Sequence, residues 1–176
     1  MNRVTFIVDG FNLYHSVVAA SYDLQLEGRG TKWLNIKELC ESYLYKFGKD
    51  AVLGEVYYFS ALAYHLQEED PNKIKRHIRL ITCLKDTGIK VELAQFKKKI
   101  NKYKLSRTVQ ISITTHEEKE TDVALAVKIL ELFIKNKCNT LVIVSGDTDM
   151  LPSVKAALKL FPEKQIVFAF PYKRKN

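Results

Sequence analysis

Short apolar runs rich in β-branched and aromatic residues alternate with helical patterns along the chain, and this alternation constrains the fold more than any other feature. Apolar runs predict strands at 4–8, 52–60, 89–95, 141–144 and 166–170. Helical patterns lie between them, at 12–22, 35–47, 72–86, 118–137 and 149–160. Strands that alternate with helices form a parallel sheet covered on both faces. The sequence therefore predicts an α/β fold of three layers with a mainly parallel central sheet of about five strands.

The helix predicted at 118–137 has the clearest periodicity in the chain. Its apolar residues fall on one stripe at helical spacing: Val123, Val127, Leu130 and Ile134. Asn35 is the predicted cap of the helix at 35–47, and Gly88 follows the helix at 72–86 as its stop signal.

Acidic side chains follow two of the predicted strands, at the point where each strand ends. Asp9 follows the first strand, and Asp147 and Asp149 follow the fourth. Asp122 lies near the start of the long helix. In open α/β sheets, sites form beyond the carboxyl ends of the strands. The fold class can therefore bring four carboxylates from distant segments to one sheet edge.

Clustered carboxylates repel one another, and two unit charges ~4 Å apart cost about 4 kcal/mol at an effective dielectric constant of ~20. Such a cluster persists with a bound cation, a shared proton or neighbouring basic groups. Oxygen ligands favour hard divalent ions, so the natural cation is Mg²⁺ or Mn²⁺.

Each acid also has a purely structural explanation. Asp9 can form a turn before Gly10. Either Asp147 or Asp149 can cap the helix that follows. Asp122 gains from the dipole of its helix without any function. The repeated placement of an acid after an apolar strand favours the functional interpretation.

The composition indicates an intracellular protein, and its charge favours binding to a polyanion over the alternative of a basic surface that serves solubility alone. The formal net charge is +8, and nucleic acid is the commonest polyanion in a cell. The three cysteines, Cys40, Cys83 and Cys138, form neither a metal-type pair nor a disulfide framework, which predicts a reducing cytoplasm. The first apolar run is too short for a signal peptide, and no run approaches the ~18 residues of a membrane span. We therefore expect a soluble cytoplasmic protein with no membrane partner.

Basic residues are concentrated in the segment 96–116 and in the tail 171–176. The basic residues of the first segment are Lys97, Lys98, Lys99, Lys102, Lys104 and Arg107, and those of the tail are Lys173, Arg174 and Lys175. The alternating pattern at 108–115 predicts a strand, so the first segment is a predicted hairpin or flap within a single domain spanning 1–176. Phe96, Tyr103 and Tyr172 are candidates for stacking on unpaired bases, or for packing the flap against the body.

Three motifs resemble the NYN domain family of PIN-like nucleases, in its bacterial LabA-like branch. They are "VDGFNLY" at 8–14, "EEKETDVALAV" at 117–127 and "VIVSGDTDMLP" at 142–152, and they occur in the order found in the family. The resemblance covers about 3–170. It implies a PIN-like sheet and a metal-dependent ribonuclease that uses Mg²⁺ or Mn²⁺.

The resemblance also implies roles for individual residues. The metal-binding set would be Asp9, Asp122 and Asp147, with Asp149 beside them, and Asn12 would orient a phosphate or a water. The residues that it implies for the substrate are Ser145, Thr148 and Lys119. Apart from the resemblance, the basic residues of the flap are expected to attract the phosphate backbone, and Tyr103 is a candidate to stack on a base. Many relatives carry cysteine pairs before the second motif, and this chain has none there. A structural zinc ion is therefore not expected, and the flap must be held by strand pairing or be mobile.

Two rival functions remain open at this stage. A haloacid-dehalogenase-type phosphatase also carries Asp after its first strand, but that chemistry needs an acid or base two residues later, where this chain has Phe11. A non-catalytic RNA-binding or regulatory module could keep every acid without cutting. The expected partner is RNA, most simply single-stranded, and the sequence leaves the oligomeric state open.

Overall fold

A computed structural model describes residues 1–26, 31–67, 70–104 and 110–174, with side chains described except at 32 and 117–119. The strands are β1 (Asn2–Asp9), β2 (Ala51–Ala61), β3 (Lys90–Lys104), β4 (Gln110–Lys119), β5 (Thr140–Val144) and β6 (Gln165–Ala169). The α-helices are α1 (Gly10–Asp23), α2 (Ile36–Ser42), α3 (Pro71–Asp86), α4 (Thr121–Ile134) and α5 (Leu151–Leu160).

The strands form one six-stranded sheet in the order β4-β3-β2-β1-β5-β6. The pairs β1–β2, β1–β5, β2–β3 and β5–β6 are parallel, and only β4 pairs antiparallel, with β3. The predicted α/β fold with a mainly parallel sheet is therefore confirmed. The sheet has six strands instead of about five because the flap continues β3 and returns as a sixth strand.

Helices cover both faces of the sheet. On one face, α4 and α5 contribute Leu125, Ile129, Leu132, Phe133, Val154 and Ala157 to a buried cluster. On the other face, α1, α2 and α3 contribute Leu13, Ile36, Cys40 and Leu84 to a second cluster. The central strands β1 and β5 are buried on both faces, which explains their continuous apolar runs. The two cores hold the carboxyl ends of these strands side by side.

Several predicted helix boundaries were wrong, including the start of α1, which is Gly10 rather than residue 12, and the end of α4, which is Ile134 rather than residue 137. The helix predicted from residue 118 begins at Thr121, because β4 pairing continues through Lys119. The helix predicted at 35–47 splits into α2 and a 3₁₀ turn, Leu44–Phe47, although Asn35 does cap α2 by accepting a hydrogen bond from the Glu38 N–H. The helix predicted from residue 149 begins at Leu151.

The apolar stripe identified on α4 is not the face that packs on the sheet. Val123 is 65% exposed and Ile134 is 70% exposed, whereas Leu125 and Ile129 are fully buried. Apolar residues surround nearly the whole circumference of α4, so periodicity alone could not select the packed face. Within the described residues, α4 and the other helices are each too short or too polar to cross a membrane.

Candidate active site

Asp9 is the most buried of the four candidate acids. It ends β1 and caps α1, and its side chain is 8% exposed. Its Oδ1 accepts a hydrogen bond from the Asn12 backbone N–H at 3.0 Å. Its Oδ2 accepts hydrogen bonds from Asn12 Nδ2 at 2.6 Å and from Ser145 Oγ at 2.9 Å. Three donors therefore hold the carboxylate in one orientation at the carboxyl end of β1.

Gly10 brings the start of α1 into close contact with β2. A Cβ at this position would lie 2.5 Å from the ring of Tyr58 and 2.6 Å from the carbonyl oxygen of Phe59. Only glycine lets the helix start this close to the neighbouring strand. The "DG" pair therefore serves helix capping and close packing, besides any role in chemistry.

Asn12 and Ser145 connect the ends of β1 and β5. Asn12 Oδ1 accepts a hydrogen bond from the Gly146 N–H at 3.2 Å, while its Nδ2 is bonded to Asp9. Ser145 Oγ accepts a hydrogen bond from the Asp147 N–H at 3.0 Å. Ser145 is fully buried, so a direct contact between its hydroxyl and a substrate does not fit this structure. Both side chains instead position the acids.

Asp147 and Asp149 lie in the turn between β5 and α5. Asp147 Oδ1 accepts a hydrogen bond from the Asp149 N–H at 2.9 Å. The cap residue of α5 is Met150, which makes no side-chain cap bond, so the expectation that one of these acids caps α5 was wrong. Asp147 is half-buried, whereas Thr148 and Asp149 are exposed. Asp149 and Thr148 are therefore accessible from solvent.

Asp122 joins this group from the first turn of α4. Glu120 precedes the helix with a left-handed φ of 80°, a conformation that costs a non-glycine residue about 1–2 kcal/mol. Desolvation is the largest cause of a pKa at Asp122 that is raised above its ordinary value. The charges of Asp147, Asp9 and Asp149 raise this pKa further. The other three carboxylates are thus close enough to act on Asp122.

The donor set fits a hard divalent ion by its chemistry. The four acids offer only oxygen atoms, and no cation is among the charges that shift the pKa of Asp122. Within the described parts of the chain, however, no three His, Cys, Asp or Glu side chains are already arranged to hold one ion together. Among the described residues, the acids therefore lie at one edge of the sheet without forming a ready-made set of metal ligands.

An apolar groove between α4 and α5 opens beside the acids. Asp122 and Asp149 line it together with apolar side chains that include Val127, Met150 and Pro152. The exposed stripe of α4 thus forms part of the surface next to the site, a placement that its spacing in the sequence did not indicate.

The basic segment forms the predicted hairpin, and strand alternation separates its lysines onto two faces. Residues Lys97 to Lys104 pair continuously with β4, from Lys97 opposite Glu117 to Lys104 opposite Gln110. Successive side chains point to opposite faces. Lys98, Lys102 and Lys104 therefore share one face, and Lys97, Lys99 and Tyr103 share the other.

The lysines on these two faces differ in whether they form ion pairs. Lys97 forms an ion pair with Glu120. Within the described residues, neither Lys98, Lys102 nor Lys104 forms an ion pair. Lys119 lies on β4 rather than on a helix, and its side chain falls outside the description, as do Arg107 and Lys175.

A cluster of rings joins the base of the hairpin to the body. The Phe96 ring lies 6.2 Å from the Phe11 ring and 4.8 Å from the His65 ring, measured between centroids. His116 stacks on His65 at 4.1 Å, and Phe11 also contacts His77. Phe96 therefore packs the hairpin against the body. Phe11 occupies the position where a haloacid-dehalogenase-type phosphatase needs an acid or base, and its ring is part of this packing.

Comparison with solved structures supports the fold. The crystal structure of a protein of unknown function from Vibrio parahaemolyticus is similar over 96% of this chain and 81% of its own, with a TM-score of 0.52 and 15% sequence identity. At this identity the likeness concerns the fold alone. A search of curated proteins finds no match.

The match to a family model covers nearly the whole chain and includes all the acids described above. The model of the NYN domain matches residues 3–173. This match spans β1 through β6, with both acid-bearing strand ends and the hairpin between them. The chain belongs to the NYN domain family, a family of PIN-like nucleases.

Proposed function

We propose that this protein is a metal-dependent ribonuclease that hydrolyses RNA phosphodiester bonds with Mg²⁺ or Mn²⁺. The observation that carries the proposal is the meeting of acids from three segments: Ser145 Oγ links Asp9 to the Asp147 backbone, and the charges of Asp147, Asp9 and Asp149 act on Asp122. Among the described residues, no basic side chain contributes to the shift in the Asp122 pKa, and PIN-like nucleases generally use divalent ions. A gathered, uncompensated set of oxygen donors at the carboxyl edge of the sheet is the electrostatic condition for binding such an ion.

In this mechanism, Asp9, Asp122 and Asp147 would hold the ion, with Asp149 at the exposed edge. When bound, the ion supplies a water molecule of lowered pKa and stabilises negative charge on the phosphate. Asn12 and Ser145 keep Asp9 oriented through the three hydrogen bonds described above. Both ends of the Asn12 amide are engaged, so we assign Asn12 the positioning of Asp9 rather than direct contact with a phosphate or water.

The substrate side of the proposal is supported by charge. An acidic site repels a phosphate backbone, whereas the net charge of +8 and the exposed hairpin lysines attract it. Tyr103 is 51% exposed and can stack on an unpaired base, which favours single-stranded RNA as the substrate.

The proposal is tested by incubating end-labelled single-stranded RNA with the protein in Mn²⁺, in Mg²⁺ and in EDTA. Cleavage in either metal that stops in EDTA and returns on addition of excess metal is the expected result. Duplex RNA and single-stranded DNA of the same sequence serve as the comparison substrates. Equal cleavage with and without EDTA would contradict the role of the ion.

One observation favours a second candidate, a non-catalytic RNA-binding module. Within the described residues, the acids are not arranged in a set that closes on one ion. An intact protein that binds the same RNA but cuts none of the substrates in either metal would identify this module in place of the nuclease.

Removal of the three lysines on one hairpin face is expected to weaken RNA binding and its dependence on salt. Each lost phosphate contact lowers the slope of log K against log salt by about 0.7 for single strands. The variant Lys98→Ala/Lys102→Ala/Lys104→Ala should therefore lose about 2 units of slope, measured by fluorescence anisotropy in EDTA. The control replaces Lys49, Lys85 and Lys159, which are exposed and lie outside the hairpin. Equal losses in both triple variants would mean that only net charge matters.

A further inference from the structure

The C-terminal segment Pro171–Arg174 lies directly against the acidic turn after β5. A Cβ on Gly146 would lie 2.2 Å from the carbonyl oxygen of Arg174 and 2.4 Å from its Cβ. Gly146 is the residue whose N–H is bonded to Asn12, which in turn holds Asp9. The side chain of Arg174 therefore starts beside the network that positions the acids.

The segment is held in this place by its own contacts. Lys173 adopts a left-handed φ of 55°, and the Arg174 N–H donates to the Pro171 carbonyl oxygen at 3.0 Å, which forms a turn. Lys173 Nζ lies 2.6 Å from Asp23 Oδ2, at the end of α1. The hydrogen bond from Lys173 is the largest cause of a lowered pKa at Asp23, and its charge lowers that pKa further.

These contacts separate the roles of the tail residues. The charge of Lys173 is paired with Asp23, whereas Arg174 forms no ion pair within the described part of the chain. Arg174 is also absent from the charges that act on Asp122. Its guanidinium therefore forms no described ion pair with an acid and does not act on Asp122, although its backbone lies against Gly146 in the turn that carries Asp147 and Asp149.

We propose that Arg174 is a substrate-binding residue that holds an RNA phosphate at the acidic site, with Lys173 and Asp23 anchoring the segment that presents it. This inference rests on the proposed function. A site made of carboxylates needs a basic side chain that binds the phosphate without forming an ion pair with the acids. A guanidinium can bind phosphate oxygens through two parallel hydrogen bonds. The need for glycine at position 146 then has a reason, because any side chain there would displace the segment.

The test compares Arg174→Gln with Arg79→Gln, an exposed arginine on α3 that loses the same charge. Binding of single-stranded RNA is measured in an Asp147→Asn background, where cutting does not interfere, and cleavage is measured in the otherwise native chain. Arg174→Gln should weaken binding about 10-fold at low salt and lower the salt slope by about 0.7, while Arg79→Gln leaves both nearly unchanged. Arg174→Lys should recover part of the loss, because it keeps the charge but not the paired hydrogen bonds.

Thermal unfolding distinguishes a role of Arg174 in RNA binding from a role in stability. Its contact with Gly146 uses the backbone and Cβ, which glutamine retains, so the melting temperature should not change. If Arg174→Gln binds RNA with the native affinity and salt slope, this inference fails while the nuclease proposal stands. If the native chain binds RNA but never cuts it, the nuclease proposal alone fails. Faster cutting after deletion of 171–176 would show that the segment obstructs the site, and would overturn the inference.

Discussion

Replacing Asp9 with asparagine is expected to reduce RNA cleavage at least about 100-fold while RNA binding persists. Loss of residues that merely support metal ligands already costs about 10–100-fold, and Asp9 is proposed to be a ligand itself. Binding should persist because the hairpin lysines are untouched, and because a negative charge next to the phosphate is removed. The measurement is single-turnover cleavage of labelled RNA in Mn²⁺, with affinity measured on the same variant in EDTA.

Asp147→Asn provides a second variant that does not depend on a buried side chain. Asparagine at position 9 places an amide group against the Asn12 and Ser145 donors, so that variant also loses stability. Asp147 is half-buried, and its Oδ1 accepts a bond that an asparagine Oδ1 can also accept. Asp86→Asn, on the exposed end of α3, is the control for loss of one negative charge. Cleavage at the native rate by a folded Asp147→Asn protein would contradict its role as a ligand.

Replacing Asp122 with asparagine is expected to stabilise the metal-free protein and to remove the stabilisation that a divalent ion gives. In EDTA near neutral pH, the variant should be more stable because it lacks the charge that the other acids repel. The gain should be at most about 1 kcal/mol, because Asp122 is exposed and solvent screens this repulsion. Saturating Mn²⁺ should stabilise the native protein by about 2.7 kcal/mol at 100 times its Kd, and the variant much less.

The dependence on pH has a defined sign. The pKa of Asp122 in the folded protein is raised above its ordinary value of 3.8. Protonation of Asp122 therefore contributes its full stabilisation below pH 3.8, and this stabilisation is lost as the pH rises through the pKa of the folded protein. The advantage of Asp122→Asn in EDTA should therefore be small near pH 3.8 and should grow above it. Urea unfolding across this range measures the difference, with Asp86→Asn as control. Equal stabilisation of both proteins by Mn²⁺ would place the ion elsewhere.

The placement of the acids was the part of the site that the sequence predicted best. Asp9 and Asp147 follow continuous apolar runs, and such runs are typical of central parallel strands buried on both faces. Carboxyl ends of neighbouring parallel strands meet at one edge, so the convergence followed from local patterns. The hydrogen bonds that orient the acids did not, because Asn12 and Ser145 reach partners more than 130 residues away in the chain.

Other features depend on tertiary contacts that leave no local pattern. The division of the hairpin lysines follows from the pairing of β3 with β4, and a shift of one residue would exchange the two faces. The packed face of α4 was misjudged because Val123 and Leu125 are equally apolar, and only the sheet distinguishes them. The close approach of Arg174 to Gly146 joins the end of the chain to a turn between β5 and α5. In the sequence, only the glycine of "SGD" indicated this contact, and a glycine in a turn has many explanations.

A crystal grown or soaked with Mn²⁺ and measured at the manganese absorption edge tests the central claim most directly. An anomalous peak coordinated by oxygen atoms of Asp9, Asp122 and Asp147, and lost in crystals of Asp147→Asn, is the predicted result. Crystals of a protein that cuts RNA in Mn²⁺, with manganese bound at other residues and no peak among these three carboxylates, would contradict it.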